Sequence, residues 1–204
     1  MNDFVHSEPH SGWTIEIYVD DLEESDPRTH DNFGTIVYSS TRYVLGDRRM
    51  PADDIEALTR DERVVWLPVY AYIHSGTCLS TTPFGDRFDS GRSGIIYADR
   101  DAVVAELSGY PEPSFDLNDQ AALDAWITDR LRDEVRWFSL YLEGEVYGWR
   151  ALDPDGSEID GCSGFLCDHV PDRYADLIAD AKGSIDAEIR RRWRAMEQEN
   201  PTWR

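Results

Sequence analysis

A chain of 204 residues with 41% hydrophobic and 12% aromatic content can bury a full core, which excludes intrinsic disorder despite a formal net charge of −21. The excess of 41 acidic over 20 basic residues excludes direct binding to DNA or to an anionic membrane, because both need a basic footprint. No apolar run reaches the about 18 residues of a membrane span, no apolar leader opens the chain, and three cysteines make no disulfide framework, so a cytoplasmic location is expected.

Residues 1–12 are polar and are expected to form a flexible end. Trp13 to Val19 (WTIEIYV) alternates, placing Trp13, Ile15, Ile17 and Val19 on one face of a half-buried strand. An acidic loop, 20–27, separates it from a second strand at 35–39 (TIVYS), which Gly46-Asp47 closes. Pro51 and the acids Asp53 and Asp54 mark the start of a short helix facing Ile55 and Leu58 inward.

Val64 to Ile73 is almost purely apolar and β-branched or aromatic, which predicts a strand buried on both faces. Its Pro68 has no N–H to donate, so a bulge or a strand edge is expected there. A polar loop, 74–93, leaves this strand in the middle of the sheet, and Gly94 to Tyr97 returns. Asp99 is the expected N-cap of a short helix at 100–107, and Asn118 that of a long one at 119–142. Leu123, Ile127, Leu131, Val135, Phe138 and Leu142 form its inward stripe. Val146 to Leu152 and 159–166 read as a hairpin about Asp153-Pro154-Asp155-Gly156, and 171–196 as a final helix weakened by Gly183. Paired strands without a repeating βαβ unit predict an α+β fold: a mixed or antiparallel sheet with two long amphipathic helices packed on it. The division expected is a core over 13–170 and a C-terminal helix over 171–204 packed on it.

The candidate chemistry lies in the 74–93 loop. His74, Ser75, Asp89 and Ser90 offer an imidazole, hydroxyls and a carboxylate, the groups of acyl transfer or nucleotide binding. Against a hydrolase stand the missing G-x-S-x-G elbow and the adjacency of His74 and Ser75, which points their side chains apart if extended. Ser, Thr and Asp in such a loop also commonly satisfy its own backbone. Cys162, Cys167 and His169, with Cys78, are thiolate and imidazole donors of the kind zinc takes, at a spacing unlike the usual C-x2-C pairs. Neither a metal nor a cofactor is expected. Asp20, Asp21, Glu23, Glu24, Asp53 and Asp54 make the N-terminal third an acidic field and the expected binding surface.

Three readings of the acidity stand side by side: adaptation to high salt, a high-GC genome (Lys182 is the only lysine against 19 arginines, and Asp outnumbers Glu by 26 to 15), or a negative surface made for a basic partner. Arg190, Arg191, Arg192 and Arg194 reverse the sign locally, which suits a helix C-terminus or a homo-oligomeric contact through Trp193.

Three blocks resemble a family of uncharacterised accessory proteins of tailed phages and related mobile elements. They are Asp31-Asn32-Phe33-Gly34-Thr35 with Arg42-Tyr43-Val44-Leu45-Gly46-Asp47; His74-Ser75-Gly76 with Ser80-Thr81-Thr82-Pro83-Phe84 and Asp89-Ser90-Gly91; and Glu134-Val135 with Tyr141-Leu142-Glu143-Gly144-Glu145-Val146-Tyr147-Gly148. Cys78 and Phe88 depart from the pattern, which has an aliphatic residue and Trp at those places. The resemblance implies the accessory gene of a virus or mobile element and no particular reaction. The expected function is therefore that of an acidic intracellular protein acting on a host or viral protein, with a nucleic-acid-like negative surface. The alternatives are a small hydrolase or nucleotide-binding enzyme using the His74–Ser90 loop, and a virion component.

Overall fold

A computed structural model describes residues 4–20, 23–30, 32–86, 88–109 and 115–199. The fold is α+β, with helices packed on antiparallel and mixed sheets, and it divides into two compact units. One unit joins both ends of the chain, residues 1–25 and 144–204; the other is the continuous segment 26–143. Among the described residues no helix is long and apolar enough to cross a membrane.

The terminal unit holds an antiparallel sheet in the order β1 (His6–His10), β2 (Trp13–Val19), β8 (Val146–Leu152), β9 (Glu158–Leu166), with helix α4 (Ala175–Glu199) on one face. Trp13, Ile15 and Ile17 of β2 and Tyr147, Trp149 and Ala151 of β8 meet Leu177, Ala181 and Ile185 of α4 in a closed core. The period-2 pattern read from residues 13–19 puts these side chains on that face. Strand β1 occupies the segment expected to be flexible. Its sequence, HSEPH, has no apolar alternation; backbone pairing with β2 holds it instead, through a tight turn with Ser11 and Gly12 at φ 53° and 82°. Two polar contacts from α4 reach it: Lys182 Nζ lies 2.7 Å from Glu8, and His10 Nε2 lies 2.8 Å from Asp186. Helix α4 starts at Ala175, after turns over 171–174, rather than at Pro171.

The continuous unit holds a five-stranded mixed sheet in the order β4 (Arg48–Arg49), β3 (Thr35–Tyr38), β7 (Ser90–Asp99), β5 (Val64–Ile73), β6 (Thr77–Ser80); only β3 and β4 run parallel. Helices α2 (Arg100–Leu107) and α3 (Gln120–Leu142) cover one face over Ile36, Val65, Val69 and Ile96. Short α1 (Ala52–Leu58) covers part of the other, with Ile55 on Val37 and Ile95. Strand β5 pairs with β7 along its length but with β6 only from Tyr70, so at Pro68 one side is an open edge; a bulge follows at Val69/Tyr70. Helix α3 is capped by Asp119, whose carboxylate accepts from the N–H groups of Ala121 and Ala122; Asn118, the expected cap, donates to Asp116 instead. Gly94 is required where β7 crosses β3, because a Cβ there would run into the Val37 carbonyl oxygen.

Candidate functional site

The loop between β5 and β7 is more ordered by its own backbone than a free loop. His74-Ser75-Gly76 is the turn of a hairpin into β6, closed by His74 N–H donating to the Gly76 carbonyl at 3.2 Å. The side chains of His74, Ser75 and Asp89 face solvent. The His74 ring stacks beside Tyr72, with centroids 6.5 Å apart. The Ser90 hydroxyl donates to the Asp86 carbonyl oxygen, and the Asp86 carboxylate accepts from the N–H groups of Phe88 (2.7 Å) and Asp89 (3.3 Å), which hold it below the usual carboxylate range. A nucleophile and its base must lie within hydrogen-bond reach. Among the described residues no such bond joins His74, Ser75, Asp89 and Ser90; their polar groups shape the loop or meet water.

The same loop builds a different cavity. Leu79 and the turn Ser80-Thr81-Thr82 form, with Arg132, Val135, Arg136, Ser139, Leu140 and Glu143 of α3 and its C-cap, a cleft of about 310 Å³. Ser139 ties its floor together: its hydroxyl accepts the Leu79 N–H at 2.8 Å and donates to Glu143 at 2.7 Å. That bond also satisfies an outward N–H of the edge strand β6, which would otherwise invite another strand. Burial, and then the charge and hydrogen bond of Glu143, raise the Cys78 thiol, which favours its protonated form. The cleft is a hollow of mainly apolar lining with Arg132, Arg136 and Glu143 among its polar side chains.

A second polar constellation is buried deeper. The Arg28 guanidinium grips both oxygens of Asp47 at 2.8 and 2.7 Å, and donates to Asn32 (2.9 Å), Glu134 (2.9 Å) and the Gly34 carbonyl (2.7 Å). Glu134 in turn accepts from the backbone N–H groups of Phe33 at 2.9 Å and Gly34 at 3.2 Å, and Asp47 from that of Ile36 at 2.6 Å. The Arg28 and Glu134 side chains are only 7% and 4% exposed. Burial acts to lower the Arg28 pKa, but the hydrogen bonds of Asp47 and Glu134 outweigh it and hold the guanidinium charged. Each N–H of the fork points at an acceptor, so the geometry is that of a clamp between β3, the β3–β4 turn and α3, not of a ligand site. Residues from the first and third resemblance blocks meet here. The one sign of it readable in the sequence is Glu134 itself, a charge three residues after Leu131 on an otherwise apolar stripe.

The expected acidic surface divides. Asp20 is buried, 5% exposed, and accepts from the Ser25 hydroxyl at 2.6 Å and the Gly164 N–H at 2.9 Å, so it works inward. Asp21 and the Glu23 side chain lie outside the described residues. Glu24 is exposed in the terminal unit, and Asp53 and Asp54 are exposed in the first turn of α1 in the continuous one. Cys162 is exposed on β9, Cys167 is buried just after it, and His169 is exposed, 3.7 Å from Glu145; among the described residues no three potential ligands gather around a metal position. Burial pushes the Cys167 thiol up to about 11. On α4, Arg191 and Arg192 pair with Glu188, and Arg192 also lies over the Trp13 ring, 4.8 Å from its centroid. Trp193 is 60% exposed. Compared with models of protein families, with curated proteins and with solved structures, the chain matches none.

Proposed function

We propose that this chain is an intracellular accessory protein of a virus or mobile element that acts by binding. It offers carboxylates to a basic surface of a host or viral protein, such as one that otherwise meets nucleic acid. The observation that carries this reading is the distribution of charge. Both units are acidic, with 20 carboxylates against 8 basic residues in the terminal unit and 21 against 12 in the continuous one. Many of the arginines are matched inside the chain: Arg28 with Asp47 and Glu134, Arg63 with Asp61, Arg100 with Asp124, Arg150 with Glu16, Arg173 with Glu145. Carboxylates at exposed positions such as Asp53, Asp54 and Glu56 on α1 then set the outer field of the continuous unit. The resemblance to phage accessory proteins supplies the biological setting.

The test is calorimetric titration against candidate host nucleic-acid-binding proteins between about 0.05 and 0.5 M salt, where screening of exposed charges changes most. Affinity is expected to fall with salt, duplex DNA to compete, and the triple variant D53N/D54N/E56Q to bind at least several-fold more weakly. Affinity indifferent to salt, or a triple variant that binds like the parent, overturns the reading.

A further inference from the structure

The far end of α4 leaves the sheet it packs on. Leu177, Ala181 and Ile185 are buried and Ile178 and Ile189 partly so, but every described side chain from Arg190 to Gln198 is exposed. The apolar stripe does not stop where the sheet does. Ile189, Trp193 and Met196 continue it at steps of four and three, with Trp193 60% and Met196 52% exposed. A tryptophan and a methionine left on an unpaired helix face are the residue types enriched at protein interfaces.

We propose that this face pairs with the same face of a second copy, the two helices antiparallel about a two-fold axis at Trp193. The argument is self-complementarity. Ile189 and Met196 stand four residues before and three after Trp193 on one flank of the stripe; Arg190 and Glu197 stand three before and four after it on the other. A two-fold axis reverses the helix and keeps each flank facing its equivalent. It therefore sets Ile189 against Met196 of the second copy, and Arg190 against Glu197, each contact occurring twice, as a closed isologous interface requires. Among the described residues neither Arg190 nor Glu197 has an ion-pair partner within its own chain, in contrast to Arg191 and Arg192, which Glu188 holds. Seven residues apart on one helix, Arg190 and Glu197 are about 10 Å apart along the axis and do not meet each other. Two exposed turns per copy fall short of the about 800 Å² per partner of a standard interface, so the dimer is weak and concentration-dependent. This surface shares no residue with the acidic α1 face, and its test is independent of any binding partner.

The experiment is sedimentation equilibrium of the full chain from about 10 to 500 µM at about 0.15 M salt, where a Debye length of about 8 Å screens the net charge of the two bodies. The parent is expected to move from the mass of one copy toward that of two. R190E and E197R each set like charges opposite one another and are expected to weaken association at least about tenfold; the double variant R190E/E197R restores the pairs and is expected to associate like the parent. Trp193→Ser is expected to abolish it. All three substitutions are at exposed positions, and circular dichroism checks that the fold is kept. A parent that stays monomeric throughout, or a double variant as dissociated as the singles, overturns the proposal.

Discussion

Arg28 is the residue on which the continuous unit closes. Its five N–H donors reach two carboxylates, an amide oxygen and a backbone carbonyl, and those carboxylates also hold the backbone at Phe33, Gly34 and Ile36. A buried ion pair adds little to stability over an apolar pair, yet losing one partner is costly because the other charge remains in a dry place. Glu134→Ala is therefore expected to lower stability by about 3–5 kcal/mol in urea denaturation. Glu134→Gln keeps an acceptor for the Phe33 and Gly34 N–H groups and is expected to cost clearly less. Equal losses for the two variants would show that charge is not what matters there. Gly34 belongs to the same construction: a Cβ would strike the Leu131 side chain, with Ile96 only 2.9 Å away, so the backbone lies close against the core.

At the scale of the element, α4 carries a flaw beside the face proposed to pair. Gly183 sits in mid-helix on the exposed side, and a Cβ built there meets nothing within 4 Å. Glycine costs a helix interior up to about 1 kcal/mol relative to alanine through backbone entropy. Gly183→Ala is expected to raise the melting temperature by about 2–4 °C without altering any contact. No gain, or a loss, would mean that the helix needs the glycine to bend or to be approached. Strand β6 shows the opposite economy: four residues, one of them buried, held by pairing to β5 and by the Ser139 hydroxyl at its outer edge.

For the whole molecule, titration links charge to stability. Cys167 and Tyr147 lie in the core of the terminal unit, and burial, chiefly, pushes them up to about 11 and about 12. Each is held neutral in the fold, so its contribution is complete below the unfolded pKa and is lost as pH rises through the folded one. For Cys167 that window runs from about pH 9 to about 11. The sum at stake is on the order of 2 kcal/mol. Cys167→Ala is expected to flatten the fall in stability across that window, measured by denaturation at successive pH values; an unchanged slope would place the alkaline loss elsewhere. On the acid side the signs reverse. The Arg100 guanidinium holds Asp124 below the carboxylate range, so that pair's contribution is present at neutral pH and fades as acid protonates the carboxyl.

The amino-acid sequence by itself determined the α+β class, β5 as a strand, the interruption at Pro68 and both long helices, because alternation, helical periodicity and proline's missing donor act over a few residues. Its apolar run predicts burial on both faces of β5, but Val65, Val69 and Ala71 are buried on one face while Trp66, Tyr70 and Tyr72 on the other are half-buried. The sequence reads 74–93 as one polar loop, where the structure has the strand β6 and the first four residues of β7, because backbone pairing rather than apolar alternation makes those strands. Only the tertiary structure decided what that loop's groups do: His74, Ser75, Asp89 and Ser90 are close in sequence, but side-chain direction is set by the turns of the β6 hairpin, and those turns leave them apart. Strand β1 carried no apolar signal, since backbone pairing holds it rather than burial, and β6 carried a single buried residue, Leu79, too few to make a pattern. Arg28 reads as one more charge in an acidic loop until Glu134, more than a hundred residues later, is brought against it. The division into two units, one of them built from both chain ends, follows from β2 pairing with β8. Local physics writes the elements, and contacts between distant residues, which no local pattern records, choose their partners.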